Sequence, residues 1–170
     1  MFRAVWPPDN PLMKLKHSVI SLLLAANIVW AGSFEDALSS YERKDYVGAE
    51  KGFRILAAQG DEHAQAILGV MYGEGKGVIQ DGAEAVKWYR LAAAQGFVLA
   101  QFMPGVMYGE GKGVIQDYAE AVKWYRQAAA QGEASAQYNL GVMYDKGQGV
   151  IQDYAEAVKW FRLAAAQGYT

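Results

Sequence analysis

The string VMYGEGKGVIQD occupies Val70 to Asp81, recurs at Val106 to Asp117, and returns as VMYDKGQGVIQD at Val142 to Asp153. Each copy leads into a segment of the type AEAVKWYR and closes on AAAQG. The frame is a 36-residue block running 61–96, 97–132 and 133–168. A period in the range of about 20–50 residues signals a solenoid, because one such unit cannot bury its apolar face alone. Stacked neighbours bury it for one another, and the array presents an extended surface.

Within a block the apolar residues recur at helical spacing. Ala64, Leu68, Met71 and Tyr72 form one stripe, and Ala85, Trp88, Tyr89 and Ala92 form another. The spacing predicts a first helix that stops near Tyr72, where Gly73, Gly75 and Gly77 follow within five residues. Val78 and Ile79 are expected to give the loop an apolar foothold on the helices. Asp81 then starts the second helix as its N-cap, and Glu84 completes a D-x-x-E capping box by bonding back. Asp117 with Glu120 and Asp153 with Glu156 repeat that pair, each cap contributing about 1 kcal/mol. Gly96, Gly132 and Gly168 end the second helices. Trp88, Trp124 and Trp160 share one phase, so they read as buried packing between units and not as a stacking platform. The glycine-rich loop follows a helix and ends on an aspartate, which would repel an anion. A phosphate cradle needs a strand before it and a helix directly after its glycines, so the loop reads as structural.

The order of these residues resembles the Sel1-like repeat, a relative of the tetratricopeptide repeat with a longer loop between its helices. Ala64, Leu68, Gly69, Tyr72, Gly75, Gly77, Val78, Asp81, Ala85, Trp88, Ala92, Ala93 and Gly96 carry the resemblance in the first block. The third block repeats it from Ala136 to Gly168. The resemblance implies an all-α, right-handed superhelix of antiparallel helix pairs and adaptor work, either assembling complexes or modulating signalling and host contact. Residues 33–60 look like a shorter leading unit without the loop insertion, similar to a plain tetratricopeptide unit. Gly52 stands there where a tryptophan is expected, which suits a terminal cap.

Ahead of the repeats, residues 13–31 read as a signal peptide: the basic MKLKH from Met13, an apolar run from Ser18, and small residues before a cleavage site after Ala31. Residues 1–12, with Pro7, Pro8 and Pro11, fit no targeting pattern and are expected to be a spurious or disordered extension. Beyond Ala31 lie thirteen of the sixteen basic and seventeen of the eighteen acidic residues, a net of −4. No basic patch stands out, which argues against nucleic acid as a partner. Cysteine is absent, so helix packing must supply the stability without disulfides. The expectation is a periplasmic or secreted protein that meets the membrane only through its leader.

The blocks differ most in their first helices. A face at helical spacing runs through His63, Ala66, Ile67 and Val70, then Leu99, Phe102, Met103 and Val106, then Ser135, Tyr138, Asn139 and Val142. In superhelices of this type first helices line the concave surface, so His63, Ile67, Leu99, Phe102, Met103, Ser135, Tyr138 and Asn139 are the candidate face for a protein or peptide ligand. Neutral drift on an exposed surface is the competing reading. Catalytic residues are not indicated: His63 is the only histidine after the leader, and no Ser-x-x-Lys occurs. No metal-ligand spacing and no cofactor motif are present. Cysteine-rich relatives of such repeats are sometimes assigned as β-lactamases, but this chain lacks their cysteines; a hydrolase and a truncated paralogue without stable function are the alternatives to a scaffold. Pro104 replaces the leucine of Leu68 and Leu140, so its helix must kink, begin later or bear a cost of about 3 kcal/mol. After Gly168 no capping helix follows in the sequence, and self-association through the last helix pair around Trp160 is expected.

Overall fold

The computed structural model describes residues 33–169; the proposed leader and the extension before it lie outside the described residues. Among the described residues eight helices follow one another: α1 (Ser33–Glu42), α2 (Tyr46–Ala58), α3 (Glu62–Glu74), α4 (Gly82–Ala94), α5 (Val98–Glu110), α6 (Tyr118–Ala130), α7 (Ala134–Lys146) and α8 (Tyr154–Ala165). They pair as α1–α2, α3–α4, α5–α6 and α7–α8, and each pair packs on the next. The chain is an all-α helical repeat solenoid, and each of its buried clusters joins adjacent units. Leu68 and Met71 of α3 share a core with Ala49 and Phe53 of α2; Tyr89 of α4 shares one with Ala100 and Met107 of α5; Tyr125 of α6 shares one with Leu140 of α7.

The first helix runs past Tyr72 and ends at Glu74, with Gly75 as the C-cap at φ 69°. A left-handed cap favours glycine because no Cβ meets the carbonyl, and Gly111 and Gly147 repeat the device. Gly73 therefore lies inside α3, which ends two residues beyond the expected stop. Asp81 caps α4 by accepting the Glu84 N–H at 3.0 Å. The other half of the box does not form. The Asp81 N–H already donates to the Tyr72 carbonyl at 2.9 Å, so Glu84 turns to Lys87 at 2.7 Å instead. Asp117 and Asp153 behave alike.

Only half of the expected loop foothold exists. Val78 is partly buried, whereas Ile79, Ile115 and Ile151 are 90%, 91% and 91% exposed. Adjacent residues on extended chain point to opposite sides, so a valine turned inward sends the isoleucine out. The next residue is engaged again: Gln80 folds back and donates to the Gly73 carbonyl at 2.7 Å.

Pro104 is buried within α5, which keeps the thirteen-residue length of α3 and α7. The helix therefore does not begin later. Its first turn is nonetheless weaker, because Phe97 provides no side-chain cap where Asp61 and Glu133 do. The Ala100 N–H bonds to the Phe97 carbonyl in the tighter i to i+3 pattern.

Candidate interaction surface

Accessible side chains occur on the first-helix face and at the loop edge, among other places. On the first-helix face His63 is exposed and stands between two rings, 6.4 Å from Phe34 and 5.1 Å from Phe97. Leu99 is half exposed, and Tyr138 is accessible while leaning on Phe161 and Tyr169 at 5.4 and 5.2 Å. The other candidate residues are drawn partly inward. Ile67 packs on the α2–α3 core and Met103 on the α4–α5 core. Phe102 lies 5.8 Å from the Tyr125 ring, and Asn139 is a neighbour of the Tyr125 hydroxyl. Burial, with a smaller push from Glu110, raises that hydroxyl to about 12, and Asn139 opposes the rise. Ser135 is partly exposed at the start of α7. The face is thus a strip in which His63, Leu99 and Tyr138 are accessible and the rest form a partly apolar floor.

The repeat positions act as frame. Gly69 admits the Tyr89 ring: a Cβ there would lie 2.7 Å from it. Gly77, at φ 73°, sits on the backbone of Tyr46 in the preceding unit. Trp124 is buried beneath the Arg90 guanidinium, 5.9 Å from the ring centroid. Trp88 and Trp160 are partly buried against the cores of α1–α3 and α6–α7, and each has a buried indole N–H without a partner among the described residues.

Sequence reasoning missed a glutamine ladder. Gln65, Gln101 and Gln137 are about 95% buried and donate backwards to the carbonyls of Ala57, Ala93 and Ala129 at 3.1, 3.3 and 3.3 Å. Their amide oxygens accept from Gln95, Gln131 and Gln167 at 3.0, 2.9 and 2.9 Å. Each repeat is thereby keyed to the last carbonyls of its predecessor, and burial makes the register costly to break. The signal was present, since both glutamines recur in all three blocks, but glutamine ordinarily reads as surface.

Ion pairs on the surface are local and exposed, such as Lys87–Glu84 and Lys76–Glu74, and contribute little to stability. Among the described residues no group of three or more His, Asp or Glu could hold a metal ion. No described helix is long and apolar enough to cross a membrane.

The Sel1 repeat family model matches residues 62–97, 98–133 and 134–169, each one residue later than the frame read from the sequence. A comparison with curated protein sequences finds no match. Among solved structures, a protective antigen of uropathogenic Escherichia coli with an SLR fold is 43% identical over 82% of this chain, with a TM-score of 0.76. A Sel1 repeat protein from Oxalobacter formigenes is 38% identical over 79%, with a TM-score of 0.71. The chain spans 31% and 56% of those two proteins' lengths. Helicobacter pylori cysteine rich protein B matches in fold at 18% identity, covering 79% of this chain and 90% of its own, with a TM-score of 0.53. Three consecutive repeat matches over most of the described residues, together with these neighbours, place the chain in the Sel1 repeat family.

Proposed function

We propose that the chain is an exported, non-enzymatic scaffold whose first-helix face binds a peptide or protein segment. Sel1 repeat proteins serve as protein-interaction scaffolds, and their homologues are in general non-enzymatic. The observation that carries the finer reading is the division of labour within each repeat. Loops and second helices are nearly invariant and form the frame, while the variable residues gather on one strip where His63, Leu99 and Tyr138 remain accessible. Partly buried Ile67, Phe102 and Met103 floor that strip, with Ser135 and Asn139 supplying polar groups, which suits an extended or helical segment with a few apolar anchors. Export rests on the leader pattern, and the likeness to a protective antigen supports a location outside the cytoplasm.

The test uses substitutions that the frame tolerates. Phe102 supports Tyr125, so a charge placed there would damage packing as well as binding. His63→Glu with Leu99→Glu alters exposed positions only. Captured from periplasm and culture medium, a partner of the unaltered chain should be absent from the double variant at matched helicity. A partner retained by the variant removes the first-helix assignment. The outward face of α8 supports a second contact, self-association: Tyr154 is 63% exposed, and Val158, one turn on along the same face, is exposed beside it. Light scattering should show mass rising with concentration, and a constant monomer mass at high concentration removes that part of the proposal.

A further inference from the structure

Helices α6 and α8 carry one apolar stripe at the same four positions, and only α6 has it covered. On α6 the stripe is Tyr118, Val122, Tyr125 and Ala129, and Ala136 and Leu140 of α7 share a core with it. On α8 the matching residues are Tyr154, Val158, Phe161 and Ala165. Among the described residues no further helix lies over them. Tyr154, Val158 and Ala165 are exposed. Phe161 has one ring edge against α7, where a Cβ on Gly141 would lie 2.7 Å from it, and is otherwise partly open.

The stripe is symmetric in its spacing. Tyr154 stands four residues before Val158, and Ala165 four residues after Phe161. Reversed end for end, the stripe falls on itself with large residues opposite small ones: Tyr154 meets Ala165, and Val158 meets Phe161. Two antiparallel copies of α8, about 8–10 Å apart, therefore interdigitate along the stripe. A polar contact within the chain can be repeated at its border. Arg54 and Arg126, the counterparts of Arg162, donate to the hydroxyls of Tyr72 and Tyr144 in the next unit at 2.5 and 2.7 Å. Arg162 borders the stripe, and the antiparallel pairing brings Tyr154 of the second copy within one turn of it. No other helix of a second copy is as well suited. Helices α3, α5 and α7 are already seated on α2, α4 and α6. On α1 the residues Glu35, Leu38 and Glu42 share one face and are exposed. Laying those carboxylates on rings and methyls would strip their water without supplying partners.

We infer that the occupant of the α8 face is α8 of a second copy, antiparallel, on a two-fold axis between Val158 and Phe161. The inference rests on the self-association reading above and adds the partner element, the register and the symmetry. One helix from each copy makes a small interface, so the dimer is weak and forms at high protein concentration. A two-fold contact closes on itself, so growth stops at two copies.

The chain has no cysteine, which allows crosslinks to be placed singly. Tyr154→Cys and Ala165→Cys alter exposed positions only. Mixed in a glutathione redox buffer, the two variants should form a disulfide-linked dimer in about tenfold greater yield than either alone, because pairing makes the two thiols neighbours. In this register like residues stand about 16 Å apart along the axis, beyond the roughly 7 Å between Cα atoms that a disulfide spans. Val158→Asp added to both variants should abolish the crosslink. Light scattering of the unaltered chain should show mass levelling at twice that of the monomer. A constant monomer mass removes self-association and this dimer together. Self-association survives but the antiparallel α8 pair is overturned if mass grows past two copies. The same holds if Tyr154→Cys crosslinks to itself, or to Leu38→Cys, in preference to Ala165→Cys.

Discussion

Helices α6 and α8 are almost the same peptide, YAEAVKWYRQAAA against YAEAVKWFRLAA, yet they live in different environments. Val122 is 2% exposed and its counterpart Val158 is 46% exposed. Tyr125 is fully inside while Phe161 is only partly covered, and Ala129 is buried where Ala165 is open. The difference is the neighbour. On α6 lies α7, with Leu140 and Ala136 against Val122 and Tyr125; no described helix lies on the corresponding face of α8. Burial in this fold is therefore a property of stacking more than of helix sequence, as nearest-neighbour coupling in repeat proteins requires.

The comparison is broken most severely by a charge. Val122→Asp places a carboxylate in the α6–α7 core and should cost several kcal/mol, enough to abolish cooperative unfolding or lower its midpoint steeply. Val158→Asp should stay within about 0.5 kcal/mol in the monomer, as surface substitutions usually do. Denaturant titration of both proteins checks this, and similar losses at the two sites would mean that the α8 face is as covered as that of α6. If that face self-associates, Val158→Asp should instead abolish the concentration dependence of mass.

A second contrast sets α5 against α7. The two helices have equal length and the same C-cap, but α5 contains Pro104 and lacks a side-chain N-cap. Pro104→Leu restores an N–H for the Ala100 carbonyl and the residue found at Leu68 and Leu140. It should raise stability by up to about 3 kcal/mol, less whatever repacking the buried site demands. A thermal midpoint that stays level or falls would show that the repeat has adapted fully to the proline.

Gln137→Leu sharpens the comparison at the level of register. It removes the donor to the Ala129 carbonyl and the acceptor for Gln167, leaving buried groups unpaired at a cost of about 1–3 kcal/mol. Gln167→Leu, at the exposed end of the same ladder, should cost less. Equal losses would mean that the ladder is held by its side-chain pair and not by its reach into the preceding repeat.

Those contrasts also show what a sequence can carry here. The period, the caps at Asp81, Asp117 and Asp153 and the αL glycines are local, so their chemistry is complete within a few residues and legible. The half-formed capping box was not legible, because the Asp81 N–H is engaged by Tyr72, nine residues back across a loop. Nor was the burial of Gln65, which depends on a carbonyl in another unit. In the candidate face the variable positions could be recognised, but not which of them were already occupied. Phe102 and Asn139 look as free as Leu99 in a linear reading, and only the placement of Tyr125 between them gives them structural work.

The smallest effect is the most discriminating. Asp117 and Asp153 cap α6 and α8 with the same bond to the third residue of the helix, at 3.0 Å in each. Replacing either by alanine should cost the same intrinsic amount, about 1 kcal/mol, because a cap does not depend on the neighbouring repeat. The place where the loss is felt should differ. Helix α6 is held from both sides and opens with the whole domain, so Asp117→Ala lowers the global midpoint. Helix α8 is held from one side and can open alone, and local openings draw on the less stable end of a structure. Native-state hydrogen exchange should therefore show Asp153→Ala speeding the α8 amides about fivefold, with α6 and α7 unchanged. If the two substitutions lower the global midpoint equally, and the α8 amides exchange no faster than those of α6, the last repeat is locked into the cooperative unit and its exposed face is not a weak end.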